Sequence, residues 1–214
     1  MIQEGISMNS SNVSKTFFFP LFIFAFVFIT FAVAVEAEDK ASDQNQDAMM
    51  AKWKEYATPN ENHKLLDSFV GKWNYTVKWW MSPDAKPEES KGTNEVKWIM
   101  GGRFLKQSVE GQGMSKDHPF KGMGISGYDN AEKQYKSVWI DNMGTGMMIG
   151  SGSYDPSTKT LVDKGTFSCP VQSEKSYRSV TTIINKDKYT YEMYTTDPDG
   201  KEFRNMEIVY TRKK

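Results

Sequence analysis

The amino-acid sequence predicts an all-β protein, a roughly ten-stranded antiparallel up-and-down barrel that follows one or two short helices. From Gly71 onward, apolar and polar residues alternate with a period of two, which is typical of strands with one face in a core. Turn sequences such as Asp155-Pro156 and Asp197–Gly200 separate these segments at the spacing of hairpins. Because no helical pattern interrupts them, consecutive strands are expected to be antiparallel neighbours. Closure into a barrel would remove exposed edge strands, and a β-sandwich is the alternative.

Composition limits the classes of function. The chain has 214 residues, with 27 basic and 27 acidic side chains and a single cysteine. This length indicates about one domain. Equal numbers of opposite charges argue against a protein that neutralises phosphates, so no nucleic-acid partner is predicted. Because Cys169 is the single cysteine of the sequence, the chain has neither an intramolecular disulfide framework nor a metal site with several cysteine ligands.

Residues 1–37 are predicted to be a secretory signal peptide. Residues 17–35 carry no charge and follow Lys15, and the sequences Ala32-Val33-Ala34 and Val35-Glu36-Ala37 both fit the small-x-small cleavage pattern. The expected product is exported, either periplasmic or secreted, with no stable membrane insertion after cleavage. An apolar run of this length nearly spans a bilayer, so an uncleaved anchor is the alternative.

A polar leader and a short helix, residues 38–59, are expected to precede the barrel domain, residues 60–214. The segment Glu38–Asp47 is polar and charged and predicts a disordered leader. Ala48–Tyr56 predicts a short helix that ends before Pro59, and Asn60 suits the N-cap of a second helix. The second helix would carry an apolar stripe formed by Leu65, Leu66, Phe69 and Val70.

Ten strands are predicted after these helices. The first places Trp73, Tyr75, Val77 and Trp79 on one face. The second covers residues 95–100. The other eight are predicted over Arg103–Glu110, Lys121–Tyr128, Gln134–Asn142, Met147–Tyr154, Thr160–Phe167, Tyr177–Asn185, Tyr189–Thr196 and Glu202–Arg212.

Several motifs resemble a known family. Gly71-Lys72-Trp73 opens the first strand and Arg212 lies near the end of the last, which is similar to the pairing at the closed end of lipocalin-like (calycin) barrels. Over roughly residues 60–212, the order of motifs resembles the bacterial domain-of-unknown-function family numbered fifteen-seventy-nine. The shared motifs include Trp98–Leu105, Gly127–Asn130, Trp139–Met143 and Asp197–Lys201. The resemblance implies a lipocalin-like barrel in a bacterial protein, closed by Gly71, Trp73 and Arg212, and it implies no activity.

The interior of the barrel is the candidate binding site. Tryptophan and tyrosine are abundant in the chain and combine apolar area with a polar atom, which suits the wall of a cavity for an amphipathic ligand. An ordinary barrel core would use the same residues, and this alternative stays open. The aromatic side chains expected to line the cavity are Trp79, Trp98, Tyr128 and Trp139.

Asp141 is the candidate polar group of the cavity. In the strand Gln134–Asn142, alternation places Asp141 on the same face as Trp139. A buried carboxylate must be paired or protonated, and Arg103, one of four arginines in the chain, is a candidate partner. Such a pair would either fix the strand register or anchor the head group of a ligand.

Other motifs predict neither a cofactor nor a metal. The sequence Gly122–Gly127 matches G-x-G-x-x-G, but a turn follows it where a dinucleotide site requires a helix. Two histidines, His63 and His118, are too few for a zinc site of the common patterns. Haem-binding calycin-like barrels use one histidine, so a haem role stays open. Capping contacts are the main expectation for His63, and a solvated loop for His118.

The sequence therefore predicts an exported, non-catalytic barrel that binds a small hydrophobic or amphipathic molecule in its interior. The first alternative is an enzyme in which burial raises the pKa of Asp141, so that it acts as a general acid or base. The second is a structural or interaction protein whose barrel is filled.

Overall fold

A computed structural model describes residues 36–115, 117–170 and 173–214, which include a closed barrel of ten antiparallel strands. The strands are β1 Gly71–Trp79, β2 Glu88–Ile99, β3 Phe104–Ser115, β4 His118–Asp129, β5 Gln134–Asp141, β6 Met148–Asp155, β7 Thr160–Cys169, β8 Ser173–Asn185, β9 Lys188–Thr196 and β10 Glu202–Arg212. Each strand pairs with its neighbours in the chain, and β1 pairs with β10, where Trp73 lies opposite Arg212. The ten-stranded antiparallel barrel is confirmed, and its closure excludes the β-sandwich.

Several strands begin earlier than predicted, among them β8, which begins at Ser173 and not at Tyr177. β2 begins at Glu88 and β4 at His118, so His118 opens a strand and does not lie in a loop. Residues 88–94 have no apolar alternation, and their sequence therefore carries no strand signal. They are extended because β1 pairs with them along its whole length, from Trp79 opposite Glu88 to Gly71 opposite Val96. Backbone hydrogen bonds stabilise this pairing whatever the side chains are.

The first helix is longer than predicted. α1 covers Glu36–Ala57, so the segment Glu38–Asp47, expected to be a disordered leader, is helical. This segment contains neither glycine nor proline, and its Ala, Glu, Lys and Gln residues are good helix formers. Of the predicted signal peptide, residues 1–35 lie outside the described residues. Among the described residues, no helix has the length and apolar character needed to cross a bilayer.

A short helix, α2, covers Glu61–Leu65, and a 3₁₀ helix follows at Leu66–Phe69. Asn60 is the N-cap of α2: its side-chain oxygen accepts a hydrogen bond from the backbone nitrogen of Asn62 (2.9 Å), and its own backbone nitrogen donates to Nδ1 of His63 (3.1 Å). This reciprocal pattern is a capping box, which pairs backbone groups that a helix end leaves free. These two short helices and the barrel belong to one compact unit, Asn45–Lys214, and the described residues 36–44 belong to a separate unit.

One end of the barrel, which we call the closed end, lies where β1 begins. Trp73 is completely buried there, and its Nε1 donates to the backbone oxygen of Phe69 (2.8 Å). The guanidinium of Arg212 lies 4.1 Å from the centre of the Trp73 ring and donates to the backbone oxygens of Val70 and Lys186, both at 2.8 Å. Gly71 has a φ of 131°, and a Cβ atom at this position would collide with Arg212. The close approach therefore requires glycine.

Candidate ligand cavity

The barrel encloses a cavity of about 1240 Å³. Its wall extends from Leu66 and Phe69 at the closed end to residues at the opposite end, which we call the open end. Glu88, Glu89 and Met143 belong to the wall at the open end and are exposed, so the cavity communicates with solvent there. This volume lies above the usual range for small-molecule sites and exceeds what one small ligand requires.

Aromatic and aliphatic side chains form most of the wall, because the inward faces of most strands carry them. Six of the ten tyrosines line it, and the aromatic residues of the wall are Phe69, Tyr75, Trp79, Phe120, Tyr135, Trp139, Tyr177, Tyr189, Tyr191 and Tyr210. At the closed end, Tyr189 and Tyr210 stack with ring centres 4.3 Å apart, and Tyr189 meets Trp73 edge to face. The cavity therefore offers both flat apolar surfaces and hydroxyl groups to a ligand.

Burial raises the pKa of several of these tyrosines. The pKa of Tyr135 rises to about 12, and the pKa values of Tyr177, Tyr191 and Tyr210 are also raised, with loss of hydration as the largest cause in each case. The hydroxyls therefore remain protonated at physiological pH. Each presents a neutral ring face, and the hydroxyl of Tyr135 already donates to the backbone oxygen of Asn62 (3.0 Å).

Three of the six candidate ligand-binding residues line the cavity, namely Trp79, Trp139 and Asp141. The other three belong to the closed end. Trp98 donates from Nε1 to the Asp67 carboxylate (2.7 Å), and Tyr128 packs edge to face against Tyr135. Alternation predicts which face of a strand a residue occupies, but these residues lie near the strand ends at which α2 and the 3₁₀ helix pack.

The expected ion pair between Asp141 and Arg103 does not form. Asp141 ends β5 at the open end, where its carboxylate accepts hydrogen bonds from Nε1 of Trp139 (2.8 Å) and the backbone nitrogen of Met143 (2.9 Å). Arg103 precedes β3 at the closed end and donates to the backbone oxygen of Met100 (3.1 Å). The two side chains lie at opposite ends of antiparallel strands, which the sequence alone does not reveal.

Asp163 is the functional candidate that the sequence interpretation missed. It lies on β7 with its side chain in the cavity wall, and its Oδ2 accepts a hydrogen bond from the hydroxyl of Ser137 (2.9 Å). Its Oδ1 is buried without a hydrogen-bond partner among the described residues. The alternation of Leu161, Asp163 and Phe167 on one face of β7 was the available signal, since an acidic residue there interrupts an apolar face.

The surroundings of Asp163 come from neighbouring strands. A Cβ atom at Gly150 would collide with both Oδ1 of Asp163 and the hydroxyl of Tyr177, so β6 approaches the carboxyl group closely only because this residue is glycine. Burial raises the pKa of Asp163, and the hydroxyls of Ser137 and Tyr177 counteract the increase. No cation contributes to the shift, and no ion pair to Asp163 occurs among the described residues.

Neither histidine lines the cavity. His63 is buried in α2, where its ring accepts a hydrogen bond from the backbone of Asn60 and packs edge to face against Tyr128, so it has the capping role predicted for it. His118 is exposed at the start of β4. No cluster of three or more metal-ligating side chains occurs in the described parts of the chain. The wall is therefore suited to a ligand held by ring faces, hydroxyls and carboxylates.

Comparison with known proteins supports the fold. A family model described as "Protein of unknown function (DUF1579)" matches residues 58–212. No curated protein matches. The crystal structure of Rv2717c from M. tuberculosis is similar, with a TM-score of 0.56 and 12% identity over 73% of this chain and 100% of that one. The S-type phycobiliprotein lyase CPES from Guillardia theta has a TM-score of 0.53 and 12% identity over 71% and 92% of the two chains. At such identity these similarities show the fold alone.

Proposed function

The chain belongs to the family of proteins of unknown function DUF1579, and we propose that it binds a small, partly apolar molecule inside its barrel without transforming it. The observation that carries the proposal is the cavity of about 1240 Å³, whose wall is mainly aromatic and aliphatic, with polar side chains among the apolar ones. Pockets of this kind bury most of a ligand's surface and orient it with a few polar contacts. A filled barrel, the interaction-protein alternative, does not account for this volume.

The closed end supports relating this barrel to the lipocalin-like (calycin) type. Gly71, Trp73 and Arg212 form a compact closure in which the arginine covers the tryptophan, while the opposite end leads to solvent. A barrel with one closed and one open end suits a ligand that enters and leaves without unfolding of the protein. Methionine side chains at the open end, such as Met143 and Met148, adapt to ligands of different shape.

Binding in the cavity is tested with a neutral apolar dye, N-phenyl-1-naphthylamine, whose fluorescence increases in apolar surroundings. We expect saturable binding to the unaltered protein. Ser126→Trp places a large side chain in the cavity wall and should abolish it, because Ser126 faces inward between Leu105 and Ser137. The matched control is Ser153→Trp, at an exposed position on β6.

The proposal fails if the dye does not bind, or if it binds equally well to the Ser126→Trp and Ser153→Trp proteins. Circular dichroism and melting temperatures of both variants establish that the barrel is intact. Native mass spectrometry of the protein isolated from its own cells adds a direct observation, since a ligand bound in the cavity increases the mass.

One observation favours an enzyme as the second candidate function. A carboxyl group in a cavity wall, with its pKa raised by burial, has the properties of a general acid or base, and Asp163 combines these two features. The test incubates the protein with any molecule recovered from it and follows the mass of that molecule. Turnover that Asp163→Asn abolishes would replace the binding proposal, whereas an unchanged mass supports it.

Export is part of the proposal. The apolar run at residues 17–35, followed by two small-x-small sites, supports cleavage of a signal peptide. Intact mass measurement on the protein from the cell envelope or the medium should find a first residue between Val35 and Glu38. A membrane-bound species that retains residue 1 would favour the anchor.

A further inference from the structure

We infer that the ligand carries a positive charge, which Asp163 and the surrounding tyrosines hold against the β5–β9 side of the cavity. This inference rests on the proposed function and names the chemical class of the ligand: an organic cation with an apolar, preferably aromatic, body. Three observations carry it, namely the charge of the wall, the isolation of Asp163 and the arrangement of the tyrosines.

The wall of the cavity is acidic. Its described residues include four carboxylates and one lysine: Glu88, Glu89, Asp141, Asp163 and Lys91. The Lys91 ammonium lies 3.6 Å from the Glu89 carboxylate at the open end and so compensates a charge near the entrance. A cleft with low-dielectric walls and charges of one sign concentrates ions of the opposite sign. An anionic ligand would meet the carboxylates of Glu88 and Asp141 at the entrance and that of Asp163 inside.

Asp163 lacks a compensating charge. Its Oδ2 accepts from the Ser137 hydroxyl and the Tyr177 hydroxyl also lowers its pKa, but its Oδ1 has no hydrogen-bond partner among the described residues, and no lysine or arginine there forms an ion pair with it. Placing a carboxylate in such surroundings costs free energy unless a partner arrives. A bound cation would supply that partner. The remaining aspartate of the wall, Asp141, already accepts two hydrogen bonds within its own strand end.

The tyrosines near Asp163 provide a second means of holding a cation. Tyr135, Tyr177 and Tyr191 all line the cavity on strands β5, β8 and β9. Their hydroxyls stay neutral because burial raises their pKa values. Ring faces attract cations, and several rings around a quaternary ammonium group form a common recognition site. A carboxylate beside such rings favours a cation over a neutral molecule of the same shape.

The test compares three ligands that share one naphthyl-hexyl tail and end in a trimethylammonium, a hydroxyl or a carboxylate group. Binding to the protein produced from the full chain is measured by isothermal titration calorimetry. We expect the ammonium compound to bind at least about tenfold more tightly than the alcohol, and the carboxylate compound to bind most weakly. Equal affinities for the ammonium compound and the alcohol would overturn the inference while leaving the proposed function intact. Absence of binding by all three would instead contradict the proposed function.

The variant Asp163→Asn tests whether Asp163 causes the preference for the ammonium compound over the alcohol. The amide keeps the shape of the side chain and removes its charge, so the ammonium compound should lose about tenfold or more in affinity and the alcohol less than about twofold. The matched control is Asp155→Asn, at the exposed end of β6, which should change neither affinity. An ammonium preference that survives in Asp163→Asn but disappears in Asp141→Asn would overturn the assignment. If Asp163→Asn does not fold, the comparison of the three head groups on the unaltered protein still decides the inference.

The pH dependence of the affinity is an independent test of the role of Asp163, because trimethylammonium keeps its charge at every pH. Asp163 must be ionised to attract it, and burial raises the pKa of this carboxyl group. The affinity for the ammonium compound should therefore fall with decreasing pH from a point above the ordinary aspartate range. Tyr177 and Tyr191 face Asp163 from β8 and β9, and Glu88, Glu89, Lys91 and Asp141 lie toward the open end. The Asp163→Asn protein contains all of these groups and serves as the baseline. An identical pH dependence in both proteins would contradict the role of Asp163.

Discussion

The closed end and the cavity around Asp163 are built by the same ten strands, yet they treat charged groups in opposite ways. At the closed end, Nε1 of Trp73 and the guanidinium of Arg212 donate to backbone oxygens, and the ring of Trp73 is covered. In the cavity, Asp163 keeps one oxygen without a partner beside apolar and aromatic residues. Because Oδ1 of Asn94, opposite Trp73, is also buried without a partner among the described residues, the two regions differ in their charged groups and not in every polar atom. The guanidinium of Arg212 is paired and stabilises the closed end, whereas the Asp163 carboxylate bears a cost.

This difference separates residues that hold the barrel from residues that are available to a ligand. Groups with complete sets of protein partners have little left to offer a small molecule. A buried acidic group without a counter-ion, in contrast, contributes to the fold only at a cost, and such groups are common at functional sites. Substitutions at the closed end should therefore lower stability, and substitution of Asp163 should not.

The largest effect is expected for Trp73→Ala at the closed end. The truncation would leave a cavity beneath Arg212 and remove the edge-to-face contact with Tyr189, at a cost of about 3–5 kcal/mol in the free energy of unfolding. Urea unfolding followed by circular dichroism measures it. The control Trp53→Ala, at an exposed position on α1, should change stability by less than about 0.5 kcal/mol. Equal losses in the free energy of unfolding for the two variants would show that Trp73 stabilises the fold no more than an exposed tryptophan does.

A smaller loss is expected for Arg212→Ala. The arginine contributes one contact with an aromatic ring, two hydrogen bonds to backbone oxygens of the closed end and an accessible ion pair with Asp187 (3.4 Å), together about 2 kcal/mol. Arg178→Ala is the matched control, because Arg178 also lies 4.1 Å from a ring centre, that of Tyr194, and pairs with Glu202 on an accessible surface. It should cost less than about 1 kcal/mol, as accessible ion pairs do. A larger loss for Arg178 than for Arg212 would contradict the special role of the closed end.

The closed end should also lose stability in acid through His63. Burial, and then the positive charge of Arg103, lower the pKa of His63 in the folded protein. The unfolded chain binds a proton at His63 more readily than the folded protein does. The contribution of neutral His63 to the stability of the fold is therefore complete above the ordinary pKa of histidine and declines as the pH falls below it. The melting temperature should therefore decrease from about pH 7.5 to about pH 5.5, and His63→Gln should reduce this decrease. His118→Gln, at an exposed histidine, is the control, and an equal reduction in that variant would refute the assignment.

The smallest effect on the melting temperature is expected for Asp163→Asn in the cavity, and it is a gain in stability and not a loss. Burial raises the pKa of Asp163, so the folded protein binds this proton more readily than the unfolded chain does. Stability therefore declines as the pH rises through the interval between the ordinary pKa and the raised one. Without ligand, Asp163→Asn should melt slightly above the unaltered protein at neutral pH, and this difference should disappear in acid. A lower melting temperature for the variant at neutral pH would show that Asp163 stabilises the barrel.

The order and number of strands were predictable because side-chain alternation is a local property. Residues such as Trp73, Tyr75, Val77 and Trp79 display the inward face of β1 without reference to any other strand. The first half of β2 and the helical start of α1 were missed for the same reason. Their own side chains carry no pattern, and β2 is extended there because β1 is its partner.

The candidate site was predictable only in part. The alternation in β5 correctly placed Trp139 and Asp141 in the cavity wall. Arg103 was a candidate partner of Asp141 because the chain has few arginines, but alternation gives only the face of a strand and not the end of the barrel at which a residue lies. Trp98 and Tyr128 were placed in the cavity for the same reason and lie at the closed end.

The sequence by itself determined that this chain forms ten antiparallel strands with an aromatic inner face, because the period of two and the turn residues act over a few neighbouring positions. The tertiary structure alone decided which carboxylate is isolated in the wall. Asp163 meets Ser137, Gly150 and Tyr177 from β5, β6 and β8, residues separated from it by 13 to 26 positions in the chain. The loss of hydration that raises its pKa depends on the combined packing of these strands, and no local sequence pattern records it.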